Sequence, residues 1–131
     1  MQAHRSSLHD GELLTVSIER AKSIVRLRFR MEDGRLRGVE LQGLLAFRIE
    51  NLTLQNVVSR LLRSSCKEIP TVEFDHWITW VTSLSDASSW LEERHRQEWS
   101  DSFISGALEL VVLDPSVGAT LAAVCERIVI K

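Results

Sequence analysis

Val25-Arg26-Leu27-Arg28-Phe29-Arg30-Met31 decides the fold. Apolar and cationic residues alternate through it without a break. Successive side chains of a β-strand point to opposite faces, whereas a helix returns to one face every three or four residues. The period of two predicts a strand with one apolar and one wet face, as in an antiparallel sheet covered on one side. Glu32-Asp33-Gly34-Arg35 then supplies a turn, because Asp-Gly readily adopts the positive φ of a tight hairpin.

The reading extends outward from this strand. Upstream, Glu12 to Arg20 alternates in the same way, with Leu14, Val16 and Ile18 on one face. Downstream, Leu36 to Ile49 predicts a third strand, with Gly38 and Gly43 as bends or bulges. These three runs form a meander. The period then changes: Leu54, Val57, Val58, Leu61 and Leu62 fall at i, i+3, i+4, i+7 and i+8, one stripe of a helix. Val72 to Thr82 is mostly β-branched or aromatic and predicts a fourth strand.

A second helix is expected from Ser83 or Ser85, where Ser83-x-x-Asp86 resembles a capping box. Its stripe is Leu84, Ala87 and Leu91, continued by His95 and Trp99. Leu108, Leu110 and Val112 predict a fifth strand, and Pro115-Ser116-Val117-Gly118 a turn. Ala119 to Ile130 fits a helix stripe or a strand, and the adjacent Pro/Gly turn favours the strand. The expected architecture is α+β, in the order β-β-β-α-β-α-β-β. Its sheet is twisted and mainly antiparallel, with two helices packed on one face.

The 131 residues suit one such domain, with residues 1–10 as a loose N-terminal segment. The apolar runs fall short of the roughly 20 residues of a membrane helix. The first residues lack the apolar core of a signal peptide, so the expectation is a cytoplasmic chain without membrane contact. In that compartment Cys66 and Cys125 are expected as reduced thiols. The net charge is −2 but unevenly spread: residues 1–67 carry 12 Lys/Arg against 7 Asp/Glu, and residues 68–131 carry 4 against 11.

Several residue groups have chemical potential. His9-Asp10 with His4 offers metal-ligand types, but no further ligand completes a set. Glu92-x-x-His95 has the helical spacing of a di-metal bundle without the other helices such a bundle needs. Asp75-His76 beside Trp77 and Trp80 suggests a ligand pocket or an acid–base site, although strand neighbours point to opposite faces. Cys66 beside Lys67 has a cation that favours its thiolate. No Gly-x-Ser-x-Gly elbow, phosphate loop or metal-ligand spacing is present, so no catalytic residue, metal site or cofactor is assigned.

The arginine row is the most distinctive local feature. Arg26, Arg28 and Arg30 share one face at about 6.6 Å spacing, with Arg35 and Arg37 across the turn. Such guanidiniums suit phosphates or a carboxylate-rich surface. The competing reading is a solvated face neutralised by Glu12, Glu19 and Glu40 on neighbouring strands.

His9-Asp10 ahead of a strand, Gln55-Asn56-Val57-Val58 and Pro115-Ser116-Val117-Gly118-Ala119 resemble stretches of small bacterial proteins of unknown function, some regarded as immunity proteins of toxin systems. The resemblance implies a binding protein rather than an enzyme, and a β-rich final segment. The functional expectation is a non-enzymatic macromolecule-binding module. It would use Arg26, Arg28, Arg30, Arg35 and Arg37 against an acidic protein surface, or bind a second copy of itself. The alternatives are a nucleic-acid or anion binder using the same row, and a small-ligand or enzymatic role around Trp77 and Trp80.

Overall fold

A computed structural model of the chain describes residues 8–83 and 88–131. The alternating stretch is a strand in it. β1 (Glu12–Glu19), β2 (Ile24–Arg30) and β3 (Leu36–Gln42) form an antiparallel meander. Val25, Leu27 and Phe29 are fully buried, and Gly34 takes the predicted positive φ at the turn, 86°.

The third strand is long and bent. β4 (Ala46–Glu50) continues the line of β3 beyond Gly43, which has a φ of 63°. The final segment is β as expected, and it bends in the same place. β7 (Thr120–Cys125) and β8 (Arg127–Ile130) are one ribbon turned at Glu126, pairing with β4 and β3 respectively. Glu126 N–H donates to the carbonyls of Gln42 (3.0 Å) and Gly43 (3.1 Å) at the shared kink.

β6 (Glu109–Val117) lies between β7 and β5 (Val57–Arg63). β5 returns to the first strand: Asp10 N–H reaches Val58 O, Val58 N–H reaches Gly11 O, and Leu13 N–H reaches Asn56 O, each at 2.8 Å. The antiparallel sheet therefore rolls into a ring, β1-β2-β3-β8/β7-β6-β5, closed by the bent ribbon. Closure leaves a free edge only along β4 and β8 and lets inward side chains fill the interior.

The class is α+β, with an antiparallel sheet and two helices, α1 (Phe74–Val81) and α2 (Glu93–Ser105), on one face. Two cores result. Leu27, Phe29, Leu41, Leu113 and Leu121 fill the barrel. The second core lies between the helices and the outer side of β4, β6 and β7, with Phe74, Ile78 and Phe103 meeting Leu110, Val112 and Val124. β6 and β7 serve both cores, so their side chains are buried on both faces from Glu109 to Leu113 and from Leu121 to Cys125. Burying each large apolar side chain contributes roughly 1.5–3 kcal/mol.

Three predicted elements are corrected. Leu54 to Leu62 was expected as a helix, but Val57–Arg63 is a strand. A bulge around Ser59 places Val58 and Leu61 both inward, turning the strand's stride of two into three, which imitates a helical stripe. Val72 to Thr82 was expected as a strand and contains α1: Phe74, Ile78 and Val81 lie at i, i+4 and i+7 and form its buried stripe, overriding β-propensity. The second helix starts at Glu93 rather than near Ser83, which pairs instead in a β-bridge with Ser89. Leu84, Ser85, Asp86 and Ala87 of that expected helix and cap lie outside the described residues, as does His4.

Candidate functional site

The outer face of β1, β2, β3 and β8 carries the arginine row, because strand alternation aims every second side chain away from the barrel interior. Arg26 is held within this face. Its Nη1 donates to Glu19 Oε1 (2.7 Å) and its Nε to Glu40 Oε2 (2.8 Å). Gln42 Nε2 donates to Glu40 Oε1 (2.6 Å), and Arg127 Nε donates to Gln42 Oε1 (2.9 Å). The ladder thus crosses four strands. The Arg26 hydrogen bond holds the Glu19 carboxyl below its usual range. Those from Gln42 and Arg26 do the same for Glu40. Both carboxylates raise Arg26.

Arg28 and Arg30 differ. Both are exposed, and neither makes an ion pair among the described residues. Arg28 stands between Thr15 of β1 and Gly38 of β3, so neither neighbouring strand places an acid beside it. Gly38 keeps regular register in β3, without the bend or bulge expected there, and Lys131 N–H donates to its carbonyl (2.8 Å). Arg30 stands between Glu12 and exposed Leu36.

The other two arginines leave the row. Arg35 lies in the turn and donates through Nε to Asp33 Oδ2 (2.9 Å). Arg37 pairs in register with Phe29, which puts it on the inward-facing side, half-buried at the end of β3. Of the acids expected to neutralise the row, Glu19 and Glu40 do so through Arg26. Glu12 makes no ion pair among the described residues.

The remaining candidates are placed as follows. Among the described residues no group of three His, Cys, Asp or Glu is placed to hold a metal ion. His9 Nδ1 donates to Ser59 O (2.8 Å), tying the chain ahead of β1 to β5. Glu92 precedes α2 and lies 3.6 Å from His95. Asp75 and His76 are on α1 rather than a strand. Asp75 accepts from Arg96 Nη2 of α2 (2.6 Å), while His76 stacks edge-on against Trp77 (4.9 Å between centroids). Trp77 and Trp80 pack against the second core. Cys66 is exposed and Cys125 buried, both free thiols. No described helix is long and apolar enough to cross a membrane.

The three stretches behind the family resemblance meet at the barrel seam. Gln55-Asn56-Val57-Val58 opens a strand, not a helix. Buried Asn56 accepts Ala119 N–H at Oδ1 (3.2 Å) and donates through Nδ2 to Thr53 O (2.6 Å). Asp10 pairs through its backbone with Val58. These residues close the ring.

Sequence reasoning missed Arg48, whose Nη1 donates to Trp80 O at the end of α1 (2.8 Å) and whose guanidinium lies 4.6 Å from the Trp80 ring centroid. Its sequence signal is an arginine flanked by Phe47 and Ile49. No family model matches the chain, and no curated protein matches it. Among solved structures, an uncharacterized protein from Neisseria gonorrhoeae is similar over 94% of this chain and 91% of that one, at 9% identity and a TM-score of 0.44.

Proposed function

We propose that the chain is a non-enzymatic binding module that docks an acidic protein surface on the outer face of β2, through Arg28 and Arg30. The observation that carries this reading is the division within the row. Arg26 is committed to Glu19 and Glu40, while Arg28, between Thr15 and Gly38, and Arg30, opposite Glu12, project from the same strand and make no ion pair among the described residues. Exposed ion pairs contribute only about 0–1 kcal/mol, so folding stability gives little reason for two unpaired arginines in line. A carboxylate-rich partner gives one, through steering of encounter and bidentate pairing. An immunity-type role against an acidic toxin protein is the form the motif resemblance implies. The nucleic-acid alternative has less support, because single-strand readers stack bases on exposed aromatics. Phe29 of β2 points into the barrel.

The test is the double variant Arg28→Gln/Arg30→Gln, titrated with a labelled oligoglutamate peptide and with single-stranded oligo-dT. The variant is expected to keep its unfolding midpoint and to bind oligoglutamate at least about fivefold more weakly, with a shallower salt dependence. Equal peptide binding by both proteins would remove this reading. A clear preference for oligo-dT, lost in the variant, would transfer the face to nucleic acid.

A further inference from the structure

The helical side of the molecule holds a second site, across the ring from β2. A cleft of about 490 Å³ opens between the 3₁₀ turn Ser64–Cys66, the segment leading into α1 and the last turn of α2. Small-molecule sites span roughly 300–1,000 Å³. The walls are apolar: Ile69, Phe74 and Phe103 are buried, and the two rings meet edge to face at 5.2 Å. Ile104 adds an apolar side chain that is 69% exposed.

The polar groups of the lining point to one charge type. Lys67 is its only cation, and it contains no carboxylate. Lys67 makes no ion pair among the described residues. Ser64, more than nine-tenths buried, accepts Leu110 N–H (2.9 Å), and no hydrogen bond among the described residues takes up its own proton. Glu109 lies behind the turn but is already paired: Arg63 donates to it through Nε (2.9 Å) and Nη2 (3.1 Å), and Ser65 through its hydroxyl. A ligand entering the cleft therefore meets an apolar floor, the free Lys67 ammonium and the hydroxyls of Ser64 and Thr71, neither of which donates a hydrogen bond among the described residues.

We propose that this cleft binds a small apolar carboxylate, its hydrocarbon against Phe74, Phe103 and Ile104 and its anionic end at Lys67 and Ser64. The charge inventory excludes the reverse polarity, because a cationic ligand would meet Lys67 with no acid in the lining to offset it. A neutral ligand would leave the ammonium unused.

The test is amide chemical-shift mapping of the whole chain with octanoate, octanol and octylamine as probes. Octanoate is expected to shift the amides of Lys67, Phe74 and Phe103 and to bind more tightly than octanol, with octylamine weakest. Lys67→Gln is expected to weaken octanoate about fivefold and leave octanol unchanged. Ile104→Glu, at an exposed position the fold tolerates, is expected to abolish octanoate binding. Shifts mapping elsewhere, octanoate binding unchanged in both variants, or octylamine binding as tightly as octanoate would each overturn the proposal.

Discussion

Cys125 lies on the inner face of β7, fully buried and paired in register with Glu109 of β6. Burial pushes its thiol up to about 12, and the Glu109 charge adds to the effect. Its unperturbed value is 9.0, so between these limits the unfolded chain loses a proton that the folded chain keeps. The unfolded state then binds fewer protons, and stability falls as pH rises through that window, by up to about 1.4 kcal/mol per pH unit. Below pH 9 the thiol contributes no pH dependence. The chain has no tyrosine to confuse an alkaline titration. Urea unfolding at a series of pH values is expected to show this decline in the native protein and a flatter profile in Cys125→Ala. Equal slopes would mean that the thiol is not protected. The arginine row makes the same point about context: of three identical residues in one strand, only Arg26 forms ion pairs among the described residues, with Glu19 of β1 and Glu40 of β3.

The elements are legible where alternation is regular and misread where a bulge in β5 imitates a helical stripe or where packing overrides the β-propensity of α1. β2 and β3 follow from period two alone; β1 is a strand as expected, but a bulge between Leu13 and Thr15 buries Leu13 and leaves Leu14 and Ile18 of its expected apolar face exposed. The final segment is β as expected, but Pro115, Ser116 and Val117 of the expected turn belong to β6, and the chain turns only at Gly118, with a φ of 89°, and Ala119. Leu36 to Ile49 reads as one strand with bends at Gly38 and Gly43; β3 and β4 form that line, bent at Gly43 and regular at Gly38. Val58 and Leu61 could not be read correctly, because nothing in Ser59 itself announces the bulge that spaces them three apart. The site was legible only in part. Alternation predicts that Arg28 and Arg30 face outward, but their lack of partners depends on cross-strand register, and the cleft depends on α1 meeting α2. Gly43 is the element-scale test of ring closure. Its φ is 63°, and an added Cβ would stand 2.7 Å from Glu126 Cβ and 2.3 Å from its Oε1. Gly43→Ala must adopt a left-handed conformation costing about 1–2 kcal/mol and also push the β7–β8 kink away. It is expected to lower unfolding free energy by at least about 2 kcal/mol in urea melts, whereas Gly34→Ala, with open space around it, should cost less. Equal costs would show that the kink is not a point of closure.

At the scale of the molecule, the two cores share β6 and β7 but differ in how they are held. The barrel core is enclosed by hydrogen-bonded strands on every side. The helical layer rests on packing: α2 is largely polar, with Phe103 as its one buried residue. Arg96 ties it to α1 through Asp75 and Thr79, and Arg48 holds the end of α1 to β4. Local opening is least costly where few apolar contacts anchor an element, so the helical layer should open before the ring. Hydrogen exchange under native conditions is expected to be slowest at the central amides of β6 and β7, with α2 faster. Phe103→Ala sharpens the expectation. It removes the contact with Phe74 and leaves a cavity costing about 3–5 kcal/mol if the whole chain opens as one unit. If the layer opens separately, exchange in α1 and α2 accelerates while the inner amides of β2 and β6 keep their protection. Uniform acceleration across helices and strands would show instead that the second core is needed to keep the barrel closed, making β6 and β7 the link that joins both layers into one cooperative unit.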